Sequence, residues 1–293
     1  MNLGLTVLEI VAPVFLLAAF GFLWVKLGFE YRVQFVTQMA MTLSVPCLIF
    51  VSLMQTQIEP AALTALSAAA VAAYGALTVA MWLLTRAARL ETRTYTAPLI
   101  FGNTGNLGLP LALFAFGEIG LDYAVVVFAV MAIWSFTYGI WLVSGGGSML
   151  KVLKEPLVGA TVLGGLFLWQ GWQTPTFLTN TLKLCGQMAI PLMLITLGVA
   201  VARLTPGRLG QAAILSLVKV CICAGIGWAI GTWFQLDKTA FAVLVLQLAT
   251  PVAVTSYLLA EKYGADSDAV AGLVVASTVM SVVALPLLLA VLL

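Results

Sequence analysis

Long apolar runs separated by short polar turns dominate this chain, and each run is about as long as a bilayer is thick. A helix needs ~20 consecutive apolar residues to cross the hydrocarbon core. Such runs cover residues 5–26, 33–55, 61–85, 95–117, 123–143, 156–172, 180–202, 210–234, 239–261 and 268–293. The pattern predicts an all-α membrane protein of ten transmembrane helices. The run at 156–172 is short, and the amphiphilic stretch from Gln173 to Thr181 leaves the start of the next helix open. The first run has no Lys or Arg before it and no small-residue cleavage site, so it reads as a retained helix.

Composition agrees. The 293 residues are 62% hydrophobic and 8% charged, with a mean hydropathy of +1.12. A soluble domain is nearer half apolar and roughly a quarter charged, so water is not the main solvent. A net charge of +2 gives no basis for binding nucleic acid. The absence of histidine removes the commonest metal ligand and the usual general base near neutral pH. Cys47, Cys185, Cys221 and Cys223 all lie within apolar runs and read as small core residues. The Cys221-x-Cys223 pair lacks zinc-ligand spacing, so no metal or cofactor is expected.

The charges fix an orientation. One set of alternate loops holds Lys26, Arg32, Arg86, Arg89, Arg93, Lys151, Lys154, Arg203, Arg208 and Lys262, whereas the other holds only Lys183 and Lys238. Cytoplasmic loops carry the excess of Lys and Arg. Both termini are therefore expected outside, with the chain multi-pass in the cytoplasmic (inner) membrane. Trp24, Trp82, Trp169, Trp172 and Trp233 fall near span ends, as an interfacial belt would.

The prolines suggest an internal repeat. Pro13, Pro46 and Pro110 recur as Pro156, Pro191 and Pro251, at offsets of 143, 145 and 141 residues. Gly145-Gly146-Gly147, followed by Lys151 and Lys154, sits where a linker between halves belongs. The expected organisation is a first five-helix repeat at 1–143, a cytoplasmic linker at 144–155 and a second repeat at 156–293. An odd number of spans per half makes the repeats inverted, as in many secondary transporters.

The candidate chemistry lies in the fourth and ninth spans. Phe101-Gly-Asn-Thr-Gly-Asn-Leu-Gly-Leu-Pro110 combines glycine, proline and two asparagines at mid-membrane depth. Glycine and proline disfavour helix, and Pro110 cannot donate to the carbonyl of Asn106. Irregular backbone survives in a bilayer only where protein buries it or a wet cavity borders it. A broken helix is therefore expected there. Its counterpart is Gln247-Leu-Ala-Thr-Pro251-Val-Ala-Val-Thr-Ser256, with Gln247 four residues before Pro251 as Asn106 is before Pro110. Crossing broken helices 4 and 9 would gather four half-helix ends, whose free amides suit a carboxylate. Close packing of small residues explains the glycines, but it explains Asn103, Asn106 and Gln247 poorly.

Lys219 is the one basic residue near the centre of a span, and no acidic residue shares its depth. It is a candidate to balance a bound anion, directly or by orienting a broken helix; the competing reading is a snorkelling lysine.

Through Gly102-Asn103-Thr-Gly-Asn106-Leu-Gly-Leu-Pro110 and the run from Thr250-Pro251 to Leu293, the chain resembles the auxin efflux carrier family. That family includes plant PIN-FORMED carriers and bacterial permeases, some of them for malonate or malate. The resemblance implies a fold related to bile acid/sodium symporters, with two inverted five-helix repeats. It further implies a scaffold of helices 1, 2, 6 and 7 and a transport domain of helices 3–5 and 8–10. It places substrate at Asn103 and Asn106, beside Pro110 and Pro251, and a basic residue at the position of Lys219. Plant members pair that residue with an acid in helix 3, but residues 61–85 hold no Asp or Glu here.

Together these features point to a secondary transporter of a small organic anion, a mono- or dicarboxylate of malonate-like, malate-like or auxin-like kind. Its candidate substrate-binding residues are Asn103, Gly105, Asn106, Pro110, Lys219, Gln247, Thr250 and Pro251. Sodium or a proton is the candidate coupling ion, with Asn103, Gln247 and Thr250 as sodium ligands, and the scaffold helices are a candidate homodimer surface. An intramembrane enzyme would need a metal or a nucleophile–base cluster that the sequence lacks. An anion channel or membrane sensor is the alternative, although no ring of charge marks a selectivity filter.

Overall fold

The computed structural model describes residues 3–146, 156–204 and 207–293, and all regular structure among them is helical. Most of the linker expected at 144–155 lies outside these residues. Eleven helices follow in order: α1 (Leu3–Lys26), α2 (Val33–Gln55), α3 (Pro60–Ala87), α4 (Thr92–Ile100), α5 (Thr104–Ser144), α6 (Pro156–Gln170), α7 (Thr176–Arg203), α8 (Leu209–Trp233), α9 (Lys238–Leu248), α10 (Val254–Tyr263) and α11 (Ser267–Leu292). Seven of them, α1, α2, α3, α5, α7, α8 and α11, are long and apolar enough to cross a membrane. Helices α6 and α9 are apolar but shorter.

The departures from the expected spans have local causes. The fourth and ninth runs are each split, at residues 101–103 and 249–253. The turn expected after residue 117 is a single kink: Gly117 takes φ +67°, within the region that favours glycine, and helix resumes at once. The amphiphilic stretch before the seventh run resolves as helix from Thr176 onward. Asp237 starts α9 by accepting from the amides of Thr239 and Ala240, both at 3.0 Å, and it also accepts from the Tyr123 hydroxyl at 2.7 Å. Asp237→Ala removes an N-cap worth ~1 kcal/mol and leaves that hydroxyl without its acceptor. A loss of about 1–2 kcal/mol is expected in a thermal unfolding measurement.

Packing divides the helices into two groups. Helix α1 lies along α7, and α2 along α6 and α7. In the other group α3 packs on α4, α5 and α8, while α11 packs on α8 and α10. The contact of α1 with α7 is made by glycine on both sides. A Cβ at Gly21 would overlap the Ile195 carbonyl, and one at Gly198 the Ala18 carbonyl. Without water to drive apolar association, such close backbone approach is how helices in lipid gain contact. Across the groups, α5 meets α2 and α1.

Candidate functional site

The two breaks meet. Residue Gly102 pairs with Val252 as an isolated antiparallel bridge. The Asn103 amide donates to the Pro251 carbonyl at 2.6 Å, and the Ala253 amide to the Phe101 carbonyl at 3.3 Å. Backbone polar groups buried in an apolar medium must find partners, and here each break supplies those of the other. Only a glycine allows the approach: a Cβ on Gly102 would overlap the Thr250 hydroxyl.

The prolines act as their chemistry requires. Pro251 has no N–H for the Gln247 carbonyl, which takes the Thr250 hydroxyl instead at 2.7 Å. Around Pro110 the chain forms a π-helical turn, Thr104–Gly108, in which the Gly108 amide reaches back to the Asn103 carbonyl at 3.2 Å. Two further π-helical turns occur, at Ala40–Ser44 within α2 and at Ser135–Gly139 within α5. All three turns border one cavity.

That cavity has a volume of about 230 Å³. Asn103, Gly105 and Asn106 from the first break and Ala253 and Thr255 from the second give it a polar end. Phe128, Phe136, Met41, Met131 and Met193 make the rest apolar, and Lys262 is the charged residue in its lining. Asn103 is 5% exposed, and its Nδ2 has no hydrogen-bond partner. The second break leads directly into α10, whose Thr255, Leu258, Leu259 and Lys262 also line the cavity. Carboxamides at one end of a mostly apolar hollow suit one anionic group carried on an apolar body.

The remaining sequence candidates sit elsewhere. Lys219, Thr250 and Pro251 surround a separate hollow of about 10 Å³ on the other face of the crossing, together with Ser216 and Ser277. Lys219 is 1% exposed, and its ammonium donates to the Thr250 carbonyl at 2.8 Å. That carbonyl lies at the C-terminal end of α9, where the helix dipole favours a cation. On the same side the Ser277 hydroxyl accepts from the Val252 amide at 3.0 Å. Lys219 therefore holds the backbone of the break and is not among the residues lining the 230 Å³ cavity. Gln247 is fully buried with both side-chain atoms unpartnered, wedged where a Cβ on Gly108 would fall. Neither it nor Pro110 lines either hollow.

Sequence reasoning missed the cavity's far wall. Met41, Phe128, Phe136 and Met193 are ordinary apolar residues in three different runs, and only folding brings them together. Lys262 carried a signal, but as a loop charge. No cluster of metal-ligating side chains occurs among the described residues.

Comparison with known proteins agrees with this architecture. The family model described as membrane transport protein matches residues 6–152 and 140–289. An uncharacterized transporter of Methanothermobacter thermautotrophicus is 28% identical over 292 residues, covering 95% of this chain and 96% of its own. An uncharacterized transporter of Methanocaldococcus jannaschii is 24% identical over 205 residues, 64% of each chain. With matches along almost its whole length and helices apolar enough to span a bilayer, the chain belongs to the membrane transport protein (auxin efflux carrier, PIN-like) family and is a multi-pass membrane transporter.

Proposed function

We propose that this transporter is a secondary carrier that moves a small organic anion by alternating access, with the crossing of the two breaks as its substrate site. The observation that carries the reading is the 230 Å³ cavity set against the crossing, lined by Asn103, whose buried Nδ2 has no partner, and by Asn106. An apolar-bodied monocarboxylate fits this lining better than a dicarboxylate, because among the described residues Lys262 is its only cationic side chain. The breaks supply the coupling machinery as well: Asn103, Gln247 and Thr250 are the candidate sodium ligands, with a proton as the other candidate.

The architecture that serves this function is ten spans in two inverted five-helix repeats, 1–143 and 156–293, with both termini outside the cytoplasmic membrane. Three features support it: the repeated prolines, the mutual pairing of the two breaks, and the ten-to-two division of basic residues between loop sets. One group of helices, α1, α2, α6 and α7, is the scaffold, with its outer face as the surface for a homodimer. The other moves against it.

Purified protein in proteoliposomes tests the function. Uptake of radiolabelled malonate, malate or indole acetate should saturate, and internal unlabelled anion should stimulate it by counterflow. Flux that neither saturates nor shows counterflow with any of the three would favour a channel and sink the carrier reading. Asn106→Ala removes a donor from the site, so the half-saturating concentration should rise ~10-fold, the equivalent of about 1.4 kcal/mol. An unchanged value would take Asn106 out of the site.

A further inference from the structure

The expectation that all four cysteines are core residues holds for Cys223 alone. Cys221 is exposed, while Cys47 and Cys185 are both partly exposed. Those two, 138 positions apart in the chain, come together where α2 packs on α7, and their thiols interact. The next residue of each segment shows how close the backbones are. A Cβ placed on Gly186 would lie 3.0 Å from both the N and the Cα of Leu48, and 3.4 Å from the Cys47 carbonyl carbon. The two backbones are thus in contact one residue along from both cysteines, the close approach that a disulfide demands.

A large charged cavity lies beside this contact. Leu48 and Gly186 line a cavity of about 510 Å³ that carries Glu118, Asp122, Lys183 and Gln187. With three charged side chains in its lining, this cavity is a place where a small polar oxidant can reach the helix contact. Cys223 has no such access, being fully buried beside Lys219.

We propose that Cys47 and Cys185 form a redox-modifiable dithiol that, when oxidised by a peroxide, ties α2 to α7. One thiolate attacks a peroxide oxygen and the O–O bond breaks, giving a sulfenic acid and, with hydrogen peroxide, hydroxide that takes up the proton the thiol released. The second thiol then displaces water from that sulfur, and the S–S bond forms. In total two thiols lose two electrons and two protons, and one hydrogen peroxide becomes two waters. Because the closed loop is long, the cross-link restricts the unfolded chain strongly. Both helices belong to the same packed group, so the tie stiffens one wall of the charged cavity.

The test is peptide mass spectrometry and thermal unfolding of the full-length protein in detergent, before and after hydrogen peroxide. A peptide linked through Cys47 and Cys185 within one chain should appear, the unfolding midpoint should rise by several degrees, and dithiothreitol should reverse both. Cys47→Ser and Cys185→Ser should show neither the linked peptide nor the rise. The proposal is overturned if peroxide oxidises the thiols singly without a linked peptide. It is equally overturned if the link forms between chains, or if the midpoint rises as much in either serine variant.

Discussion

Gly102→Val should reduce transport to below about a tenth of the wild-type rate and destabilise the folded protein by about 2–4 kcal/mol, the range for forcing a side chain into a packed site that also holds hydrogen bonds. The backbone of Gly102 is extended and paired with Val252, a conformation that valine adopts readily. Conformational preference therefore does not oppose the change. What opposes it is the Thr250 hydroxyl, which occupies the space of the new Cβ. Turning that hydroxyl away removes the 2.7 Å donor of the Gln247 carbonyl and leaves it only longer backbone contacts. Moving the whole segment breaks the Asn103–Pro251 and Ala253–Phe101 bonds. Either route weakens or breaks the pairing of buried polar backbone. Transport and the unfolding midpoint of purified protein report the two effects separately, and a variant with both intact would show that the crossing tolerates separation.

Lys219→Met should behave differently. Methionine keeps most of the length of the lysine stem and removes the charge. The Thr250 carbonyl loses a charge-assisted hydrogen bond, but the bilayer interior is also relieved of a buried ammonium, and these terms oppose each other. The unfolding midpoint should thus move by only a few degrees. Transport should fall at least ~10-fold, since the end of α9 is no longer held. Because Lys219 lies outside the substrate cavity, the fall should appear in the maximal rate, with little change in half-saturation. A large rise in half-saturation with the rate preserved would mean that the ammonium touches substrate directly. Normal transport would remove the role altogether.

Much of this was legible in the sequence, for reasons that differ from part to part. Membrane spans announce themselves because lipid-facing residues must be apolar, and composition alone marked out an all-helical membrane protein, of which seven helices are long and apolar enough to cross. The breaks were legible because glycine, proline and carboxamides are so rarely clustered at that depth, and the structure splits the fourth and ninth runs at residues 101–103 and 249–253. What those clusters did not carry was direction. Thr250, Pro251 and Lys219 line one hollow at the crossing and Asn103 and Asn106 another, a division set by how the two breaks and α8 pack in three dimensions. A linear string places all five in one site.

The substrate cavity illustrates a second limit. Its apolar wall comes from helices far apart in sequence, and nothing separates Phe128 or Met193 from any other apolar residue of a span. The three π-helical turns that border it are equally silent. Proline near Ala40–Ser44 and Thr104–Gly108 hints at two of them, but Ser135–Gly139 contains none. There the Thr137 hydroxyl bonds back to the Ile133 carbonyl at 2.6 Å, a local competition with the helix that sequence alone does not predict.

The measurement closest to the centre of the account is anion binding to the purified protein, followed as a shift of the thermal unfolding midpoint with malonate, malate and indole acetate, with and without sodium. A carboxylate that binds at the crossing should raise the midpoint of the wild-type protein in a saturable way, and the shift should shrink in Asn103→Ala and Asn106→Ala. No shift with any of these anions, or the same shift in both variants, would contradict an anion site at the crossing.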